Sequence, residues 1–281
     1  MKKLELKNKY NIGLVLSGGA ARGFAHLGIL KALHEHNISP EIISSVSAGA
    51  IVGAFYADGF SPEEILYIFE EKKLLQFTSL SFKRAGLLEI SGLKKILNEQ
   101  LRAKTFADLQ KPLYIAVTNY HSGTVEYLYK GDLAESIVAS SSIPVLFHPT
   151  EINKKKYIDG GVTDNFPVAP IQNQAKILIG VHANPMGWTD KVNGLLQVAI
   201  RSFLLSVNSK IDLKKNDVDI FICPQKLAQY GVLDVSKGRE IFNIGYEEAN
   251  KQLHQNKSII QNYAVTKKKN KKRPLNLFRQ K

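Results

Sequence analysis

Short apolar runs of five to seven residues recur along the chain, separated by longer stretches in which apolar residues return every three or four positions. The runs at 12–16, 42–46, 113–119, 124–129, 177–182 and 219–223 predict strands. The periodic stretches 21–36, 48–57, 62–72, 91–101, 133–140, 192–213 and 236–253 predict helices. Apolar strands alternating with helices imply an α/β fold: a three-layer α/β/α sandwich around a mainly parallel central sheet. In such sheets, sites form beyond the carboxyl ends of the strands. The turn-forming residues Tyr120-His121-Ser122-Gly123 and the stretch 153–156 predict two hairpins.

With 281 residues, 44% of them hydrophobic, the chain can bury one large core. The expected organisation is a single domain over 1–263 followed by a tail over 264–281. The net charge is +13, and that tail alone carries eight basic residues and no acid, which leaves +5 for everything before it. A charge run of this kind reads first as a solvated, disordered extension. The tail's Leu275, Leu277 and Phe278 also suit peripheral contact with anionic membrane. No stacking platform or binding module accompanies the charge, so nucleic acid is not expected as a partner. The single cysteine, Cys223, excludes an internal disulfide and fits a reducing compartment; its apolar surroundings predict a buried strand position. No apolar run approaches the roughly 20 residues of a membrane span, and Glu5, Lys7 and Lys9 interrupt any signal-like segment. The expected location is cytoplasmic, with or without contact at the inner face of the membrane.

Three stretches carry candidate chemistry. In IISSVSAGA, residues 42–50, a strand runs into a cluster of small residues around Ser47. A nucleophile elbow has this composition, because its serine stands at a sharp strand-to-helix turn with no room for bulky neighbours. The pattern G-x-S-x-G is incomplete: Gly49 is present, but Ser45 replaces the first glycine. An ordinary strand-to-helix turn fits the same residues. In Ser17-Gly18-Gly19-Ala20-Ala21-Arg22-Gly23, glycines between a strand and a helix can aim backbone N–H groups at an anion, either a phosphate or a developing oxyanion. The spacing matches neither a dinucleotide-binding fingerprint nor a P-loop. The third stretch, Asp159-Gly160-Gly161, read alone, is a turn.

Taken together and in this order, the three stretches resemble the patatin-like phospholipases. Ser141-Ser142-Ile143-Pro144 before Asp159, Asp164-Asn165-Phe166-Pro167-Val168 after it, and His26-Leu27-Gly28 in the first helix strengthen the resemblance, which spans residues 13–168. It implies a Ser-Asp dyad, with Ser47 as nucleophile and Asp159 as its partner. It also implies an oxyanion hole from the Gly18, Gly19 and Ala20 loop, and a lipid ester as substrate. Arg22 matches the family's basic residue, suited to a substrate phosphate or to ordering the loop. Two departures stand out. Ala20 replaces a glycine, which matters if its φ is positive, and Ser45 crowds the elbow.

The dyad needs no cofactor and no metal, and the seven histidines show no metal-ligand spacing. A serine attacks once a base accepts its proton, and donors must then stabilise the oxyanion. Two rival readings remain open at this stage. One is an α/β-hydrolase triad with His182 as its third member; the other is a regulatory protein whose glycine loop binds an anion without turnover. The apolar segment 74–82 reads either as a lid or as core beneath a connection.

Overall fold

The computed structural model describes residues 8–71, 90–188 and 194–260. The segment 74–82, a candidate lid, and the tail 264–281 lie outside these residues. Eight strands form one sheet: β1 (Tyr10–Leu16), β2 (Ile42–Ser45), β3 (Leu113–Asn119), β4 (Val125–Leu128), β5 (Thr150–Ile152), β6 (Lys155–Asp159), β7 (Ala175–Val181) and β8 (Ile220–Ile222). Their order is β5-β6-β3-β2-β1-β7-β8, with β4 attached to β3. The expected α/β architecture is present. The four pairings among β3, β2, β1, β7 and β8 are parallel, whereas β4, β6 and β5 pair antiparallel around the far half of β3.

Helices cover both faces: α1 (Phe24–Glu35), α2 (Ala48–Ala57), α3 (Pro62–Glu71), α4 (Ser91–Gln100), α5 (Leu133–Ser140), α6 (Gly161–Asp164), α7 (Leu195–Asn208), α8 (Ile211–Lys214) and α9 (Gly238–Gln255). Strand β1 shows how the layers divide. Ile12, Leu14 and Leu16 enter the larger core, built with α1, α2, α3 and α9. The alternate residue Val15 enters a smaller core with Phe166, Val168 and Ile171. The period of two thus splits one strand between two layers. Helix α2 reads AGAIVGAFYA and is buried at every position, as expected of a helix that is apolar all round. Phe24, the first residue of α1, packs edge-on against Phe69 of α3, which packs in turn against Phe55 of α2. Removing a buried phenylalanine of this kind costs about 3–5 kcal/mol, so α1 is firmly seated directly after the glycine loop. No helix among the described residues is long and apolar enough to cross a membrane.

The pairings of β3 have a consequence for the site. Ile115 pairs with both Ser45 of β2 and Leu128 of β4, while Val117 pairs with both Glu126 of β4 and Asp159 of β6. A strand has two edges, so β2 and β6 must share the edge opposite β4. Strand β2 runs parallel to β3 and ends at Ser45; β6 runs antiparallel and ends at Asp159. The two strands therefore meet head-on beside Ala116, and the chain leaving each is forced out of the sheet at one place.

Candidate active site

Ser47 leaves β2 with φ +54° and ψ −125°, between the strand and α2. A non-glycine residue held in so sparsely populated a region costs about 1–3 kcal/mol and persists only when its surroundings fix it. The Ser47 carbonyl accepts the Ala50 amide at 2.8 Å, and its own N–H donates to Ser140 Oγ at 2.8 Å. Ser140 Oγ in turn donates to the Ala116 carbonyl at 2.7 Å, in the gap where β2 hands β3 over to β6. Gly49 is required by close approach: a methyl there would stand 2.6 Å from the carbonyl oxygens of Leu16 and Ser17. The missing elbow glycine is compensated across the interface. The Ser45 hydroxyl donates to the Tyr114 carbonyl at 3.3 Å, and opposite it α2 carries Gly53, where a methyl would come within 3.3 Å of Ser45 Oγ.

Asp159 ends β6 and is 1% exposed. Its Oδ1 accepts the Gly161 amide at 2.7 Å. Oδ2 is buried without a well-formed hydrogen bond and is the oxygen left for the Ser47 hydroxyl. Burial raises the carboxyl to about 7, against the opposing pull of the Ser47 hydroxyl and the Gly161 amide. Gly160 lets the turn close, because a methyl there would lie 2.1 Å from the Ala116 carbonyl.

The glycine loop is pinned from below. Ser17 Oγ accepts the Ala183 amide at 2.9 Å and donates to the Gly18 carbonyl at 2.9 Å. The Ser17 carbonyl lies 2.9 Å from His26 Nε2, which must therefore carry the hydrogen. The Gly18 amide donates to Asn165 Oδ1 at 3.1 Å. The amides of Gly19 and Ala20 have no acceptor among the described residues. Ala20 has φ +48°, so the substitution of alanine for glycine does carry strain.

Ser47, Asp159, Gly18, Gly19 and Ala20 share one cleft, with about 480 Å³ of open space. Most of its other lining residues are apolar, Ile143, Pro144 and Leu146 together with Ile200, Phe203, Leu204 and Val207 of α7, and two are polar, Asn165 and Asn184. Arg22 is not among the residues that line this cleft. Its guanidinium donates to the carbonyls of Tyr230 and Pro185 and to Asn184 Oδ1, tying the loop after β7 to the glycine loop. Of the two roles open to Arg22, these contacts belong to loop ordering. His182 is also kept apart from Ser47 and Asp159. Its Nε2 pairs with Asn208 Oδ1 at 2.8 Å, its ring stacks on Phe221, and burial lowers it to about 4. Cys223 follows β8 rather than lying within it and is only partly buried. Desolvation pushes its thiol up to about 12, away from reactivity.

Two residues of the site were given no role by the sequence. Ser140 carries only a weak signal, a small polar residue at the end of an apolar helix. Asn165 lies in a noted motif, but nothing in the sequence tells which group it faces.

An α/β sandwich that brings an elbow serine, a buried aspartate and a glycine loop at the end of β1 to one cleft is an arrangement of hydrolase type. The patatin-like phospholipase family matches residues 14–171, and the chain belongs to that family. A lysophospholipase NTE1 of Kluyveromyces lactis is 27% identical over 271 residues, covering 84% of this chain and 18% of the yeast protein. An uncharacterized NTE family protein of Mycobacterium tuberculosis is 29% identical over 176 residues, covering 62% of this chain and 49% of that protein. The chain thus spans under a fifth of the yeast relative and about half of the mycobacterial one. Among solved structures, VipD from Legionella pneumophila superposes with a TM-score of 0.52 at 17% identity, over 91% of this chain and 67% of VipD. That likeness is one of fold.

Proposed function

We propose that the protein hydrolyses acyl esters of lipids through a Ser47–Asp159 dyad. The observation that supports this reading is the head-on meeting of β2 and β6, after which Ser47 and the buried Asp159 line one largely apolar cleft. Ser47 Oγ attacks the ester carbonyl as its proton passes to Asp159 Oδ2. The amides of Gly19 and Ala20 receive the oxyanion, a task in which losing one donor typically costs about 2.7–4 kcal/mol. The intermediate collapses as protonated Asp159 returns its proton to the departing alcohol, leaving an acyl-Ser47 enzyme. Water, deprotonated by Asp159, then releases the fatty acid and restores the serine. Neither half-reaction draws on a metal or cofactor.

The apolar side chains that α7, Ile143, Pro144 and Leu146 bring to the cleft suit an acyl chain, and the yeast relative's name directs the first assay to a lysophospholipid. A fluorophosphonate probe should label the wild type on Ser47 and leave Ser47→Ala unlabelled, with lysophosphatidylcholine hydrolysis lost in parallel. Labelling that survives the substitution rejects the reading. Access to substrate is through peripheral contact of the basic tail, 264–281, with anionic membrane, supported by its eight basic residues beside Leu275, Leu277 and Phe278. Deleting the tail should reduce sedimentation with phosphatidylglycerol vesicles while sparing hydrolysis of a soluble ester. Unchanged sedimentation rejects the membrane role.

A further inference from the structure

Asn165 combines three observations. It is 6% exposed, it lines the cleft beside Ser47 and Asp159, and its Oδ1 accepts the Gly18 amide at 3.1 Å. That last contact fixes the orientation of the side chain. An amide N–H can only donate, so the atom facing Gly18 is the oxygen, and the NH2 group is the end turned away from it. Asn165 Nδ2 is fully buried and finds no hydrogen-bond partner among the described residues. Its place is close to the chemistry: a methyl built on Gly18 would stand 2.6 Å from Asn165 Oδ1 and 3.2 Å from Ser47 Cβ. A methyl built on Gly161 would stand 3.0 Å from both Asn165 Oδ1 and Asp159 Oδ1. The side chain therefore lies between the glycine loop, the serine and the aspartate.

Buried donors in native proteins are nearly always paired, so an orphan marks a place where a partner arrives later or where strain is held for function. In this cleft the arriving acceptor is the ester oxygen that becomes negative as Ser47 attacks. The contact to Gly18 points the same way, because that amide is already spent on Asn165 and cannot also serve an oxyanion. Its place among the donors falls to the group that engages it.

We propose that Asn165 is a catalytic residue whose side-chain NH2 donates to the substrate's carbonyl oxygen and strengthens that bond as the oxyanion forms. It would be a third donor beside the Gly19 and Ala20 amides. The inference rests on the serine-hydrolase reading above and deepens it. Helix α6 and the residue after it supply the rigidity that such a donor needs. Asp164, the immediate neighbour, is held by the Tyr127 hydroxyl and by Lys214, and its own Oδ1 accepts the Phe166 amide, so the chain on either side of Asn165 is anchored.

Two variants separate donating from bracing. Asn165→Asp keeps an acceptor for the Gly18 amide and loses the NH2; Asn165→Ala loses both without adding charge. Loss of the donor is the change they share. With p-nitrophenyl butyrate, both should lose about 10²- to 10³-fold in kcat, with KM little changed, as expected for a donor engaged in the transition state. Affinity for a trifluoromethyl ketone, which forms the same tetrahedral oxyanion on Ser47, should fall by a similar factor. A kcat in Asn165→Asp within threefold of wild type, with loss confined to Asn165→Ala, would overturn the proposal and reduce Asn165 to a brace for Gly18. Unchanged trifluoromethyl ketone affinity in both variants would overturn it too. A wild type that neither turns over the ester nor takes a fluorophosphonate label would instead remove the underlying hydrolase reading, and this inference with it.

Discussion

The hydroxyl of Ser140 accepts the amide hydrogen of Ser47 at 2.8 Å while donating its own proton to the Ala116 carbonyl at 2.7 Å. One side chain thereby satisfies two backbone groups left open where β2 and β6 both end beside β3. It also ties the strained elbow to the middle of β3. Helix α5 can deliver it there because Asp132 caps the helix start, accepting the Glu135 amide at 2.7 Å, and eight residues later Ser140 lies beneath the elbow.

Ser140→Ala should accordingly lower stability and turnover together. Two buried backbone groups lose their partner, at about 1–3 kcal/mol for each group left unsatisfied. Ester hydrolysis should fall at least tenfold as the Ser47 backbone relaxes, chiefly in kcat. Thermal unfolding and steady-state kinetics on the same preparation check both, and a variant with unchanged kcat would show that the elbow holds without this tie.

Asp159 sets a pH dependence of two opposite signs. On the proposed mechanism Asp159 must be ionised to act as the general base, so kcat/KM should climb about tenfold per pH unit below 7 and level off above it. Stability runs the other way. A carboxyl whose folded-state value is raised from 3.8 to about 7 binds more protons folded than unfolded between those limits. Its contribution is complete below about 4 and is lost as pH rises through 7. The full shift is worth about 4 kcal/mol at 1.36 kcal/mol per unit. Asp159→Asn, which cannot ionise, should therefore unfold at nearly the wild-type temperature at pH 4 and several degrees higher at pH 8, while hydrolysing nothing. A temperature difference that stays flat across this range would mean that Asp159 titrates near its ordinary value.

Ala20, held at φ +48°, is a place where the chain can be improved. Glycine removes a left-handed penalty of about 1–2 kcal/mol and returns part of it as unfolded-state freedom, so Ala20→Gly should gain about 0.5–1 kcal/mol net with activity at or above wild type. A lower melting temperature would show that the methyl group packs usefully against the cleft.

His182→Gln tests the triad. Glutamine keeps a donor for Asn208 Oδ1, and because His182 pairs with Asn208 rather than Asp159, ester turnover should stay within several-fold of wild type. A loss beyond a hundredfold would bring the histidine back into the mechanism.

How far these features could be read from the sequence depends on how local their causes are. Strands β1, β2 and β3 announce themselves as apolar runs because both faces are buried, and α2 as a buried helix because its one polar side-chain group is the Tyr56 hydroxyl. Strand β6, reading Lys155-Lys156-Tyr157-Ile158-Asp159, has two exposed lysines and no such run, so only its turn was legible. The predicted helix over 192–213 is instead α7 followed by the separate turn α8, because Asn208, Ser209 and Lys210 interrupt the apolar spacing. At the site, Ser47 and Asp159 were singled out by local composition, whereas the direction of the Arg22 guanidinium and of the Asn165 amide depends on loops far along the chain. Tyr230 is 208 residues from Arg22, and Gly18 is 147 from Asn165. No window along the sequence contains such pairs.

The collision of β2 and β6 on a single edge of β3 makes the site a gauge of correct folding. The two reacting groups arrive more than a hundred residues apart, from strands pointing in opposite directions. Asp159 reaches Ser47 only if β6 settles with Asp159 opposite Val117 and Gly160 slides under the Ala116 carbonyl. A slip of one residue would turn the carboxylate to the other face of the sheet and bring Ile158 or Gly160 to its place. A chain still being synthesised, or one trapped with its hairpin misaligned, therefore carries a serine with no base beside it. On the proposed mechanism, the chain would have no hydrolytic activity until β6 is in register.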